Sequence, residues 1–133
     1  MRHLFLIILC STLLETSCKK TNSVPVIPNG TYNGIFQRQT STGGQISNVT
    51  ITFSENTWTG QSQFEKYPAL CHGTYKTKST DEITFENACP WTAEFDWSLV
   101  LGHDYKIKIV NTSIEITRDY ANAVKDIYKL TKQ

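Results

Sequence analysis

The chain has 133 residues, and its 13 basic and 12 acidic side chains leave a formal net charge of only +1. That length suits one domain with a single hydrophobic core. A charge so close to neutral gives no argument for binding to nucleic acid or to another highly charged polymer. Composition gives no argument about other function classes, so fold and function have to be argued from the pattern of residues along the chain.

The N-terminus has the pattern of a secretory signal. Arg2 precedes an apolar run over residues 4–14, which is too short to span a bilayer. Residues 15–20, with the sequence ETSCKK, resemble the processing site of bacterial lipoproteins. The resemblance implies that residues 1–17 are a lipoprotein signal peptide and that Cys18 becomes the lipid-modified N-terminus. The alternative is that Cys18 is a free thiol beyond an ordinary signal peptide.

The same resemblance implies a location in the bacterial cell envelope, with the membrane as a partner through the N-terminal lipid. Lys19 is not the aspartate that retains many such proteins at the inner membrane, so we expect the outer membrane, with the leaflet left open. Residues 21–28 include polar residues and two prolines, which is typical of a tether, so we assign residues 18–28 to a lipid-anchored tether. The folded domain is then predicted to occupy residues 29–133.

Residues 29–133 show the period-two alternation of short β-strands separated by turns. The second strand is the clearest, because Val49, Ile51 and Phe53 alternate with threonines. The predicted strands begin near residues 30, 48, 58, 71, 83, 105, 114 and 126. An ambiguous segment at 91–96 leads into a further alternation of Trp97, Leu99 and Leu101, which makes the count eight or nine. We therefore predict an all-β fold, an antiparallel up-and-down barrel of about eight strands, because closure removes exposed sheet edges.

Cys71 and Cys89 stand at the outer ends of a predicted hairpin, where its two strands return to nearly the same place. With Cys10 in the signal and Cys18 taken by lipid, they are an even pair in an oxidising compartment. We expect a Cys71–Cys89 disulfide, worth roughly 3 kcal/mol in the loop-entropy model. A metal site of these two cysteines with His72 is disfavoured, because neighbouring side chains of a strand point to opposite faces.

Nothing in the sequence forms a recognisable catalytic constellation, so we predict no enzyme, no cofactor and no catalytic residue. The plausible acid–base groups fall in turns or loops, where solvated side chains are the ordinary interpretation. These groups are His72, Glu94, Asp96, His103 and Asp104. No phosphate-binding loop, histidine metal cluster or Gly-x-Ser-x-Gly motif accompanies them.

From residue 30 onward the chain resembles the lipocalin-like small lipoproteins of Bacteroidetes-type bacteria. The resemblance rests mainly on the segments CHGTY at 71–75, ITFENAC at 83–89 and WTAEFDW at 91–97, with GTY at 30–32 and YKLTK at 128–132. It implies a barrel that binds a molecule inside or at its mouth.

Two interpretations of the aromatic residues stay open. Five of them fall on the predicted inner face, and their polar tips suit a cavity for a small apolar or amphipathic ligand. These predicted ligand-binding residues are Trp58, Phe64, Tyr75, Trp97 and Tyr105. The same side chains could instead fill the interior as ordinary core. In that case the alternative function is loop-mediated protein interaction, such as inhibition of a wall-degrading enzyme, with exposed Tyr67, Trp91 or Tyr120 as anchors.

Overall fold

Alternating apolar and polar residues close the chain into a barrel of eight antiparallel strands, each paired with its neighbours in sequence order. The structure, a computed structural model, describes residues 23–133. The strands are β1 (Gly30–Gln39), β2 (Ile46–Ser54), β3 (Thr57–Ser62), β4 (His72–Thr77), β5 (Glu82–Asn87), β6 (His103–Val110), β7 (Ser113–Asp119) and β8 (Lys125–Lys132). Two short 3₁₀ turns, Trp97–Leu99 and Ala121–Ala123, interrupt the loops. The predicted fold class is confirmed.

Local alternation decides which side chains face the interior. In β2, Val49, Ile51 and Phe53 are buried while Asn48 and Thr50 are exposed, as a strand with one solvated face requires. The ambiguous segment 91–96 belongs to the long β5–β6 loop. The alternation predicted at Trp97, Leu99 and Leu101 is wrong, because this part of the loop forms the 3₁₀ turn Trp97–Leu99 and no strand.

The interior is filled by aromatic side chains. Nine rings form one continuous series of contacts, with neighbouring centroids 4.8 to 6.4 Å apart and mostly edge-to-face or tilted, the arrangement that ring quadrupoles favour. In order of contact these are Tyr67, Phe36, Tyr128, Tyr105, Phe85, Tyr75, Phe53 and Tyr32, with Trp58 branching from Phe85. Aliphatic side chains such as Ile51, Ile83 and Ile116 are completely buried among them.

The two ends of the barrel differ. One end, the long-loop end, carries the connections 40–45, 63–71, 88–102 and 120–124; the other, the short-turn end, carries the turns 55–56, 78–81 and 111–112. Residues preceding β1 pack across the short-turn end. Ile27 is 1% exposed, and the Pro25 carbonyl accepts a hydrogen bond from the Thr77 hydroxyl. Part of the segment that the sequence assigned to the tether is therefore packed against the core.

The Cys71–Cys89 disulfide is present, with the two Cα atoms 6.3 Å apart, within the usual range for such bonds. It joins the 63–71 loop to the 88–102 loop at the long-loop end. Cys71, Cys89 and His72 lie together, but both sulfurs are already bonded to each other.

The predicted signal peptide at 1–17 and the predicted lipid site at Cys18 lie outside the described residues. Within residues 23–133, no helix has the length and apolar character needed to cross a membrane.

Candidate functional site

The five predicted ligand-binding residues do not come together. Trp58, Tyr75 and Tyr105 are 1%, 7% and 3% exposed inside the barrel, whereas Phe64 and Trp97 are 38% and 50% exposed on its surface. The expected inner-face position is therefore wrong for Phe64 and Trp97. The physical reason is that β3 ends at Ser62, two residues before Phe64, and that Trp97 begins a 3₁₀ turn; the period-two alternation of a strand stops with the strand.

The polar tips of two buried residues are occupied by the backbone. The Trp58 indole N–H donates to the Glu86 carbonyl at 3.2 Å, and the Tyr75 hydroxyl donates to the Glu55 carbonyl. Burial raises the pKa of the Tyr75 and Tyr105 phenols. Because their rings also touch other rings, these side chains act as core, and the interior offers a ligand few free polar groups.

A group of contacting rings occurs instead in the β5–β6 loop, where Trp97 is exposed and Trp91 and Phe95 are partly buried. Phe95 stacks on Trp97 with centroids 5.7 Å apart and planes 26° apart, and Trp91 contacts the Phe95 ring at 5.7 Å. We refer to Trp91, Phe95 and Trp97 as the aromatic cluster. Lys66, from the β3–β4 loop, lies 5.2 Å from the Phe95 centroid and donates to Thr92, a cation–π contact that ties the two loops together.

A buried ion pair holds this loop against the barrel. Arg38 on β1 contacts both carboxylate oxygens of Asp126 on β8, at 2.7 and 2.8 Å, and Asp126 is only 1% exposed. The same guanidinium donates to Asp96, the Ser98 hydroxyl and the Ser98 carbonyl. Charge-assisted bonds in a bidentate arrangement are the stronger kind of hydrogen bond, so this network fixes residues 96–98 beside the aromatic cluster.

The network changes the ionisation of its members. The hydrogen bond with Asp126 raises the pKa of Arg38, and hydrogen bonds from Ser98 together with the Arg38 charge lower the pKa of Asp96. Tyr120 donates to Asp126 at 2.9 Å, and burial raises the pKa of Tyr120 to about 12. At neutral pH the network therefore contains charged Arg38 and Asp96 beside the neutral phenol of Tyr120.

The network had a partial signal in the sequence. Alternation that places Tyr128 and Leu130 inward also places Asp126 inward, and the Phe36 alternation does the same for Arg38. Charged residues at inward positions of two strands are unusual unless they are paired. What the alternation could not supply was the loop residues Asp96 and Ser98 as their partners.

A cleft lies on the side of the barrel, between β6 and β7, with a volume of about 600 Å³. Tyr105, Thr117 and Arg118 line it, together with exposed charged residues that include Lys106 and Asp119. Arg118 lies 5.8 Å from the Tyr105 centroid and 4.8 Å from the Tyr120 centroid. Neither the cleft nor Arg118 was singled out by the sequence.

The groups considered for acid–base chemistry are partly engaged elsewhere. Asp96 is bound to Arg38 and Ser98, while Asp104 forms an ion pair with Lys78 at 2.8 Å and accepts from Thr84 at 2.6 Å. Comparison with known proteins returned no matching family model, no significantly similar curated protein and no significantly similar solved structure. Function must therefore be argued from the geometry of this chain.

Proposed function

We propose that this protein is a lipid-anchored binding protein of the bacterial envelope that recognises a protein partner through the aromatic cluster. The observation that carries the proposal is Trp97, a large aromatic side chain left half exposed on a loop that is otherwise firmly held. Trp, together with Tyr and Arg, is enriched among the side chains that dominate binding energy at protein interfaces.

The loop that carries the cluster is preorganised. The disulfide at Cys89 holds its beginning, and the Arg38 bonds to Asp96 and Ser98 hold its later part. A side chain that is already ordered loses little conformational entropy when it binds, so more of its buried area contributes to affinity. The bonds that hold the loop thus support recognition as well as stability.

The position of the proposed lipid anchor favours a protein, rather than the membrane surface, as the binding partner of the aromatic cluster. Residues 23–29 run into β1 at the short-turn end, where Asn29 accepts a hydrogen bond from the Glu55 amide. A lipid on Cys18 would hold that end nearest the membrane and direct the long-loop end away from it. The aromatic cluster would then face the partners of the envelope space.

The fold is also compatible with the other predicted function, binding of a small apolar or amphipathic ligand inside the barrel. An eight-stranded barrel is a fold that can hold such a ligand. The nine contacting rings weigh against it, because a ligand would have to displace packed core. The two functions are distinguished by native mass spectrometry of the full-length protein, in which a bound small molecule lost on Trp58→Phe would favour the interior.

The partner surface is tested by site-specific photo-crosslinking in the native host. A photoreactive residue at Trp97 should give a discrete adduct, while the same residue at Thr112, in the β6–β7 turn at the opposite end, should give none. With the identified partner purified, Trp97→Ala should weaken binding about tenfold or more, as for an interface hot spot. Thr112→Ala serves as the matched control. Equal crosslinking at both ends, or unchanged affinity of Trp97→Ala, would contradict the proposal.

A further inference from the structure

The wall of the barrel opens between β6 and β7 near the long-loop end. Their pairing runs from Val110–Ser113 to Lys106–Thr117 and stops there. The next residues pair only with their outer neighbours: Tyr105 with Ile83 of β5, and Arg118 with Asp126 of β8. The facing backbone edges of residues 103–105 and 118–119 are therefore not paired with each other, and the 600 Å³ cleft occupies the opening.

Arg118 places its guanidinium at this opening. Its alternation with Ile114 and Ile116 directs it inward, and its contacts with the Tyr105 and Tyr120 rings fix it there. Its Nη1 atom is buried and has no hydrogen-bond partner among residues 23–133. A buried N–H donor without a hydrogen-bond partner is costly unless something else compensates it.

The carboxylates closest to Arg118 that could neutralise its charge already bind Arg38. Arg38 takes both oxygens of Asp126, the residue opposite Arg118 across the strand pair, and it also binds Asp96. Tyr120 remains neutral at pH 7 because burial raises its pKa to about 12, so it supplies no negative charge. No ion pair joins Arg118 to a carboxylate of the described chain.

The cleft is lined by three carboxylates, Glu82, Asp104 and Asp119, and by two cations, Lys106 and Arg118. Asp119 is shared by Lys106 at 3.8 Å and Lys125 at 3.7 Å, and Asp104 is paired with Lys78. Once these pairs are counted, two charged groups of the lining have no ion pair within residues 23–133: Arg118, and the exposed Glu82, which lies opposite Lys106 across the β5–β6 pairing. A ligand with one negative charge matches Arg118 better than a polyanion, which the lining carboxylates would repel.

We propose that the β6–β7 cleft is a binding site for a carboxylate, held by the guanidinium of Arg118. A planar carboxylate matches the fork of guanidinium N–H donors, and backbone N–H groups along the unpaired strand edges can add further donors. The carboxylate belongs either to a small organic acid or to the C-terminus of a peptide. The site is on the side of the barrel and does not depend on the partner surface proposed above.

The test is an NMR titration of the purified full-length protein in detergent micelles, following the Arg118 side-chain Nε–H signal. The three probes are benzoate, a Gly-Gly-Phe tripeptide with a free C-terminus and the same tripeptide as its C-terminal amide. We expect saturable shifts with at least one carboxylate and none with the amide. Saturation by benzoate alone would identify small acids as the source, and saturation by the tripeptide alone would identify peptide ends.

Variants decide whether the guanidinium is responsible. Arg118→Gln should weaken carboxylate binding at least tenfold, and Arg118→Lys should retain part of it; Lys129→Gln, which removes an exposed cation on the outer face of β8, should change it less than twofold. If Arg118→Gln does not fold, Arg118→Lys supplies the comparison. No saturable shift with either carboxylate, equal binding of the amide, or equal losses in Arg118→Gln and Lys129→Gln would overturn the proposal.

Discussion

Arg38 and Asp126 lie directly opposite each other on β1 and β8, and their side chains form two hydrogen bonds at 2.7 and 2.8 Å. β1 and β8 are the first and last strands, so this pair fastens the seam at which the barrel closes. It also supplies the guanidinium that reaches the β5–β6 loop. Closure of the fold and presentation of the aromatic cluster thus share one side chain.

Removing Asp126 should destabilise the protein strongly. Asp126→Ala leaves Arg38, whose side chain is 14% exposed, without its buried partner, and breaking such a pair typically costs about 3–5 kcal/mol. Asp96→Ala is the control, because that carboxylate is 57% exposed and an exposed partner contributes about 0–1 kcal/mol. Urea unfolding of both variants measures the difference. If both variants lost a similar free energy of unfolding, the buried Arg38–Asp126 pair would contribute no more to stability than the exposed Arg38–Asp96 pair.

Alkaline pH should unfold the protein through its buried tyrosines. Burial is the largest cause of the raised pKa of Tyr32, Tyr75, Tyr105 and Tyr128, and it raises that of Tyr120 to about 12. A folded-state pKa above the unfolded value of about 10 means that the stabilisation is complete below pH 10 and is lost as pH rises toward 12 and beyond.

The measurement for the alkaline prediction is tyrosinate absorbance near 295 nm against pH, in buffer and in concentrated urea. At pH 11 the folded protein should show fewer ionised tyrosines than the unfolded protein. A Tyr120→Phe variant should lose less stability between pH 10 and 12 than the parent. Identical titration curves in buffer and urea would contradict the assignment.

Gly73 should not tolerate a side chain. A Cβ atom there would lie 1.7 Å from the Glu86 carbonyl oxygen and 3.0 Å from the Trp58 indole nitrogen, so the β4–β5 pairing would have to shift. We expect Gly73→Ala to cost about 2 kcal/mol or more, in the range of strained core substitutions. Gly102→Ala is the matched control, since its nearest contact would be an ordinary 3.9 Å. Thermal unfolding of both variants checks the contrast.

The disulfide should contribute measurably to stability. The two cysteines are separated by 18 residues in the sequence, and for a loop of this length the chain-entropy model gives a stabilisation of roughly 3 kcal/mol. Replacing both Cys71 and Cys89 with serine should lower the free energy of unfolding by about that amount and loosen the loop that carries the aromatic cluster. Urea unfolding of the double variant measures it. Finding both thiols free by non-reducing peptide mapping would remove the basis of the prediction.

The lipid anchor is tested apart from the fold. Cys18→Ala should release the protein from the membrane fraction and remove the added lipid mass, because stable attachment requires the acyl chains. Fractionation and intact-mass measurement are the readouts. A variant that stayed in the detergent-soluble membrane fraction at its normal mass would exclude lipidation at Cys18.

The sequence predicted the barrel because its signals are local. Alternation of Val49, Ile51 and Phe53 specifies a half-buried strand wherever that strand sits, and a pair of cysteines at hairpin ends specifies its own bond. The candidate site was predicted poorly because it depends on long-range contacts. Phe64 and Trp97 were placed inward by extending an alternation past the end of a strand, and nothing near Arg118 in the sequence indicates that β6 and β7 separate there.

The distribution of the three tryptophans gives the protein two independent optical reporters. Trp58 is enclosed among rings in the core, whereas Trp91 and Trp97 belong to the loop cluster. Partner binding should change the emission of the loop indoles and leave that of Trp58 unaltered, while unfolding should change all three. A Trp58→Phe variant would isolate the loop signal, so the same molecule could report recognition and global unfolding without an added label.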